Sequence, residues 1–279
     1  MKIIDGLKVS DFIKKQIINE VNTFAKRPKV VDIQIGFNAA SEIYISRKEK
    51  VAKEVGIDFE CIRFDATTSE DVIIKKIDEL NNNSNINGIF IQSPIPKKYD
   101  EIKIMNTVKP EKDVDGLTYI NAGRLLNNKK SLISCTPNGI MELLKYYKLD
   151  ILGKNVCIVG RSSLVGKPLL NLFLNENATV TICHSFTKDL EKITKKADIL
   201  IVAIGKKHFI TSKYIKKDSI VIDVGINRYD NKIYGDVNFD DVKTKVKYIT
   251  PVPGGVGPMT VIMLLKNVII AYKNQNNIY

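Results

Sequence analysis

Asn155-Val156-Cys157-Ile158-Val159-Gly160-Arg161-Ser162-Ser163-Leu164-Val165-Gly166-Lys167-Pro168 reads as a buried strand, a glycine turn and the opening of a helix that runs to about Asn175. A phosphate-binding turn needs that order, because glycines let backbone N–H groups and a helix N-terminus come close to an anion. Two strict versions of such a turn fail here. A Walker loop places four residues between its glycines and follows the lysine with Ser or Thr. Here five residues separate Gly160 from Gly166, and Pro168 follows Lys167. The Gly-x-Gly-x-x-Gly fingerprint fails at Ser162, which stands where its second glycine should be. A variant dinucleotide turn remains.

The strand that follows, Thr179 to Cys183, sharpens this reading. An NAD site usually carries an acid at the end of that strand for the ribose 2′-hydroxyl. This chain has Cys183-His184-Ser185 there and Arg161 in the preceding loop, a pairing that suits a 2′-phosphate and so NADP. Arg161 and His184 as plain surface polar residues is the alternative. Ile199–Ile204 and Ile220–Val224 are further strands, with helices in the first two intervals.

Toward the N-terminus the alternation is already present. An amphipathic segment (Val9 to Phe24) precedes a strand at Val30–Gly36, and Ser41 is placed to cap a helix that Gly56 ends after Val55. Phe59–Phe64, Ser69–Leu80 and Gly88–Gln92 read as strand, helix and strand. Strand alternating with helix is the pattern of a parallel sheet covered on both faces, here in two α/β halves. Pro137–Tyr147 reads as a linking helix with Thr136 as its N-cap. The expected division is a first domain at 1–139, rejoined by a returning helix at 259–279, and a Rossmann-like domain at 140–258.

Thr250-Pro251-Val252-Pro253-Gly254-Gly255-Val256-Gly257-Pro258-Met259-Thr260 is too rich in proline and glycine for a regular element. It feeds Val261–Ala271, an apolar run that reads as a buried helix opened near Pro258. A stiff turn that presents backbone N–H groups at a helix start suits an anion or a flat polar ring; an ordinary connecting loop is the alternative.

Composition excludes several classes. Among 279 residues with 44 % hydrophobic content, no run of about 18 uncharged apolar residues is present, and the start lacks a signal-peptide core. A cytoplasmic protein with no membrane partner is expected. Cys61, Cys135, Cys157 and Cys183 are widely separated and only two histidines occur, so neither a disulfide framework nor a metal site is expected. The net charge of +12 is scattered through helical segments, without basic tails or aromatic-basic interleaving. Nucleic acid is therefore not the expected partner, whereas phosphorylated or polycarboxylate small molecules are.

Tyr44 and Lys48 lie four apart on one helix and share a face. Such pairs are mostly structural, but Gln92 ends the third strand of the same domain and Asp115 sits on a later loop. Groups beyond the carboxyl ends of parallel strands converge on one crevice. Asp113 and Asp115 as mere shapers of a tight loop around Gly116 is the bland alternative.

Ser41-Glu42-Ile43-Tyr44-Ile45-Ser46-Arg47-Lys48, Gln92-Ser93-Pro94-Ile95-Pro96, Lys112-Asp113-Val114-Asp115-Gly116-Leu117, Asn121-Ala122-Gly123-Arg124-Leu125, Cys135-Thr136-Pro137, the Gly160–Pro168 turn, Cys183-His184-Ser185 and Thr250–Thr260 occur together in this order. In this the chain resembles, over nearly its whole length, the bifunctional methylenetetrahydrofolate dehydrogenase/methenyltetrahydrofolate cyclohydrolase family. The resemblance implies oxidation of 5,10-methylenetetrahydrofolate with NADP⁺ and hydrolysis of the product to 10-formyltetrahydrofolate, in one-carbon metabolism and purine biosynthesis. It implies Lys48 as the catalytic lysine, Tyr44 as its partner over the pterin, Gln92 as a hydrogen-bond partner of Lys48, and Asp115 at the pterin edge. Gly160, Arg161, Ser162, Gly166, Ser185 and Ile226 would match cofactor-binding positions, and Pro253, Gly254 and Gly255 substrate-binding ones. A homodimer acting on folate, with or without a polyglutamate tail, is implied too. Ser93, Asn138, Lys206-Lys207-His208-Phe209 and Lys217-Asp218-Ser219 depart from the family pattern, and none of them touches Lys48 or Asp115. Another two-domain NADP-dependent dehydrogenase and a non-catalytic nucleotide-binding protein stand as alternatives.

Overall fold

The computed structural model describes residues 1–230 and 232–278, with the side chain of residue 40 outside the description. β1 (Lys2–Ile3) and α1 (Gly6–Val21) open the chain. β2 (Lys29–Ile35), α2 (Ala39–Val55), β3 (Asp58–Phe64), α3 (Glu70–Asn82) and β4 (Gly88–Gln92) alternate, followed by the helices α4 (Glu101–Thr107), α5 (Tyr119–Leu126) and α6 (Cys135–Tyr146). The alternation resumes with β5 (Asn155–Val159), α7 (Gly166–Asn175), β6 (Thr179–Cys183), α8 (Leu190–Thr194), β7 (Ile199–Val202) and β8 (Ile220–Asp223). β9 (Asn227–Tyr229), β10 (Lys232–Tyr234), α9 (Phe239–Val242), β11 (Tyr248–Ile249) and α10 (Gly257–Gln275) follow.

These elements form two compact units, one of Phe12–Cys135 with Val261–Tyr279 and one of Met1–Asp11 with Thr136–Thr260. In the first, the parallel sheet runs β3-β2-β4. β2 is central, and every residue from Val30 to Ile35 is buried. Side chains alternate across a strand, so Val31, Ile33 and Ile35 enter a core with Ile73, Ile77, Ile89 and Ile104. Val30, Asp32 and Gln34 therefore take the opposite face. α10 packs its apolar run Val261–Leu265, Val268 and Ile269 in this unit, buried as the sequence requires. A buried polar residue interrupts that apolar run: Asn267 Nδ2 donates to the carbonyls of Val114 at 2.9 Å and Ile133 at 2.8 Å.

In the second unit a parallel sheet runs β1-β11-β8-β7-β5-β6. Consecutive strands lie on opposite sides of β5, since β6 pairs with one of its edges and β7 with the other. Such a reversal opens a crevice at the carboxyl end of the strand, where Gly160 begins the turn. A core of Cys157, Val159, Leu200, Val202, Val221 and Ile249 fills one face of the sheet. No helix among the described residues is long and apolar enough to cross a membrane.

Two expected caps are corrected. α2 begins at Ala39. Ser41 is therefore already helical, and Asn38 Oδ1 accepts from the Ser41 amide at 3.1 Å. Ser41 Oγ instead donates to the Ser93 carbonyl at 3.4 Å. Likewise α6 begins at Cys135, which places Thr136 inside its first turn, its hydroxyl 3.1 Å from that of Thr260. In both cases a tertiary partner takes the hydroxyl that local pattern assigns to capping. α4 and α5 were not expected. Each has a local cap, the Asp100 carboxylate accepting from the Lys103 amide at 3.0 Å and the Thr118 hydroxyl from the Asn121 amide at 3.4 Å.

Candidate active site

Lys48 projects from α2 onto the face of β2 that carries Asp32 and Gln34. Its side chain is 4 % exposed and that of Asp32 is 0 % exposed. The Lys48 ammonium forms an ion pair with Asp32 Oδ2 and donates to Gln92 Oε1 at 2.8 Å. It also lies 3.7 Å from the centre of the Phe90 ring. Asp32 stands opposite Phe90 in the β2–β4 register, and Gln34 opposite Gln92. The expected contact between Lys48 and Gln92 is therefore present. Tyr44, one turn earlier on α2, is 39 % exposed.

Burial opposes both charges. It pushes the Lys48 amine down, against the pull of Asp32 and Asp115. It pushes the Asp32 carboxyl up, against the attraction of Lys48. Surroundings that strip water from an ion favour its neutral form, and an opposite charge restores the ionised one.

The Asp113–Asp115 loop divides its labour. Asp113 accepts from the amides of Gly116 at 2.9 Å and Thr118 at 2.8 Å, and from Asn121 Nδ2 at 3.0 Å. It shapes the turn. Asp115 is set apart by its surroundings: burial and the neighbouring Asp113 charge push its carboxyl up to about 7, while Lys48 and a hydrogen bond with Cys135 pull it down. Cys135 is buried and its thiol is raised well above the ordinary value by burial and by Asp115.

Asp32 was not among the sequence candidates. An acid within Val30-Val31-Asp32-Ile33, a run otherwise apolar, was the available signal. Such an acid in a central strand requires a cationic or hydrogen-bonding partner.

The second unit builds its site from backbone. Gly160 has φ +128°, a left-handed value that favours glycine. A Cβ on Gly166 would collide with the Gly160 carbonyl oxygen, so helix and turn approach as only glycine permits. Ser162 Oγ accepts from the Val165 amide at 3.2 Å. Arg161 is exposed, its guanidinium 5.7 Å from the centre of the Phe186 ring. At the end of β6, His184 Nδ1 accepts from the Phe186 amide at 3.2 Å, and Ser185 is exposed beside it. No carboxylate stands at this strand end. The close glycine turn, the exposed arginine and the absent acid fit a dinucleotide carrying a 2′-phosphate.

Nearby loops are held by buried acids. Asp236 accepts from the amides of Ile204, Gly205 and Lys206 at 2.7, 3.0 and 2.8 Å. Asp223 accepts from those of Gly225, Asp236 and Val237 at 2.9, 3.0 and 2.9 Å. Ile226, between them, is exposed. In the Thr250–Thr260 turn, Gly6 donates to the Gly254 carbonyl at 2.8 Å, and a Cβ on Gly6 would strike the Gly255 oxygen. Pro253 is exposed and Gly254 partly so, while Gly255 is buried. Among the described residues, no cluster of His, Cys, Asp or Glu is arranged to hold a metal ion.

An α/β unit with a buried lysine–carboxylate–amide cluster, accompanied by a parallel-sheet unit with a dinucleotide turn at its reversal point, defines a two-unit nucleotide-dependent enzyme. Comparison with known proteins makes this specific. Residues 4–115 match the tetrahydrofolate dehydrogenase/cyclohydrolase catalytic domain, and residues 134–276 match the NAD(P)-binding domain of the same family. The bifunctional protein FolD of Campylobacter hominis is 47 % identical, over 99 % of this chain and 98 % of its own length. The crystal structure of the bifunctional FolD enzyme from Campylobacter jejuni superposes with a TM-score of 0.96 at 39 % identity, covering 98 % of this chain and 99 % of that one. The Trypanosoma brucei enzyme, complexed with NADP cofactor and inhibitor, gives a TM-score of 0.91 at 34 % identity, covering 98 % of this chain and 97 % of that one. The chain belongs to the tetrahydrofolate dehydrogenase/cyclohydrolase family.

Proposed function

We propose that this protein oxidises 5,10-methylenetetrahydrofolate to 5,10-methenyltetrahydrofolate with NADP⁺ and hydrolyses that product to 10-formyltetrahydrofolate. The observation that carries this reading is the buried Lys48 ammonium held at 2.8 Å from Gln92 Oε1 within the part of the chain that matches the family's catalytic domain. NADP⁺, when bound, supplies the hydride acceptor for the methylene carbon. The cation formed is stabilised by the flanking folate nitrogens, so that step asks for alignment and not for a proton carrier. Tyr44 and Asp115 hold the pterin, with the Asp115 carboxylate at the ring edge and Pro253, Gly254 and Gly255 as further substrate contacts.

Hydrolysis asks more. Water adds to the methenyl carbon, the bond from that carbon to N5 breaks, N5 keeps one proton and one proton is released. The Lys48 Nζ carries this proton traffic, because its amine is partly desolvated and steadied by Gln92. Gly160, Arg161, Ser162, Gly166, Ser185 and Ile226 hold the cofactor. Arg161 selects NADP⁺ through the 2′-phosphate.

In the functional division we propose, residues 1–139 with the returning segment 259–279 bind folate, and 140–258 bind NADP. The net charge of +12 favours folates with polyglutamate tails. A cytoplasmic homodimer that supplies formyl groups for purine synthesis completes the proposal. A spectrophotometric assay with methylenetetrahydrofolate and NADP⁺, followed by acid conversion of the product pool, tests both activities at once. Absence of NADP-dependent methenyl formation would reject the reading, and light scattering checks the dimer.

A further inference from the structure

Asp32 lies outside every motif that supports the proposed function, yet it is the ion-pair partner of Lys48. It sits in the central strand with 0 % exposure, and its Oδ1 has no hydrogen-bond donor among the described residues. A buried ion pair is weak as a stabiliser, and apolar residues of similar size often replace one without loss. On a strand whose other buried residues are Val, Ile and the hydrogen-bonded Gln34, packing alone does not account for an acid.

The geometry around the pair is closed. Asp32 grips the ammonium from β2, Gln92 from the end of β4, and the Phe90 ring lies against it. Other charged or titratable groups face the pair from each packed element: Glu42 on α2, Cys61 and Arg63 on β3, Asp115 from the loop after α4 and Cys135 from the start of α6. Glu42 is already matched, since it accepts from Gln34 Nε2 at 2.7 Å and from Arg63 at 3.3 Å. Asp32 is left as the carboxylate in direct contact with the amine.

We propose that Asp32 is a positioning residue for Lys48, holding its ammonium against Gln92 and setting, through its charge, the pH at which Lys48 changes protonation during hydrolysis. This rests on the reading of Lys48 as the group that carries protons in the cyclohydrolase reaction. The direction of the effect does not depend on whether Lys48 works as base, acid or electrostatic stabiliser. A carboxylate beside a buried amine favours the ammonium, so its removal always lowers the pH at which the amine loses its proton.

The experiment compares cyclohydrolase pH–rate profiles of the unmodified protein, Asp32→Asn, Asp32→Val and Lys48→Met. Thermal melts first establish which variants are folded. The limb that vanishes in Lys48→Met should move to lower pH by about 1 to 3 units in either folded Asp32 variant. If that limb stays in place while Lys48→Met has lost hydrolysis, the role of Asp32 is overturned and that of Lys48 stands. If Lys48→Met hydrolyses normally, the reading of Lys48 fails, and this inference with it. A second measurement needs no variant at Asp32. In the unmodified protein the ¹³C resonance of the Asp32 carboxyl should respond to the ionisation of Lys48. An Asp32 signal that stays flat across that titration overturns the proposal.

Discussion

Lys48 and Arg161 are the two cations on which the proposed chemistry turns, and they are placed in opposite ways. Lys48 is 4 % exposed, paired with Asp32 and hydrogen-bonded to Gln92. Arg161 stands in solvent beside Phe186, which is itself 79 % exposed. The first unit gathers charged side chains where water is excluded, so small changes in electrostatics alter protonation. The second lets backbone geometry form the turn and leaves Arg161 exposed, as the proposed contact with a phosphate requires. A group that moves protons gains from a low dielectric, while one that recognises a dianion gains from reach and accessibility.

The largest effect is expected where burial and charge act together. Lys48→Met keeps side-chain length and removes the amine. Cyclohydrolase activity should fall by a factor of about 10² to 10⁴, while dehydrogenase activity survives in part; paired assays on one preparation read both. Equal losses in the two reactions would erase the contrast between a proton carrier and an aligning residue.

Asp115→Asn should raise the KM for folate about 10- to 100-fold in both reactions, the scale of a hydrogen bond to a charged group. The unmodified enzyme should show the same dependence through pH. Because the Asp115 carboxyl is raised to about 7, it keeps its proton to about that pH in the free protein. Its contribution to stability is therefore complete below the unfolded value near 4 and is lost as pH rises through about 7. Binding of hydrogen-bond donors at the pterin edge runs the other way, so kcat/KM should climb across that interval. The Asp115→Asn profile should lack the step.

Gly166→Ala sharpens the comparison from the other side. The added Cβ meets the Gly160 carbonyl oxygen, so the turn must open, and the KM for NADP⁺ should rise by about tenfold, the equivalent of ~1.4 kcal/mol. Folate affinity measured by equilibrium binding should hold. Loss of both would mean that the turn supports the whole protein and not one ligand.

Arg161→Ala should have the smallest effect. An exposed cation contributes modestly, and a loss of about three- to tenfold in kcat/KM is expected for NADP⁺ with little change for NAD⁺. Equal losses for the two cofactors would remove the 2′-phosphate from the account.

The sequence alone determined the repeated strand–helix alternation, the parallel sheets it implies, and the turn after β5. β4 and β6 fall at the residues their patterns indicate. These features are local: β-branched residues and prolines restrict φ and ψ, and glycines widen them, wherever they occur. The contact of Lys48 with Gln92 was legible too, once the family pattern placed both at one crevice.

Tertiary structure decided the rest. β1 and β11 contain two residues each, too few to show a period, and exist because Ile249 pairs with Ile3 on one side and Val221 on the other. Ser41 and Thr136 have the chemistry of caps, but long-range partners claim their hydroxyls. Asp113 and Asp115 look equivalent in sequence; loop closure makes one a scaffold and leaves the other with its carboxyl raised by burial. Asp32 reads as one more strand residue until the β2–β4 register sets it beneath Lys48. Backbone preference is written residue by residue, whereas the partner of a buried charge is fixed only when distant segments close over it and remove the water.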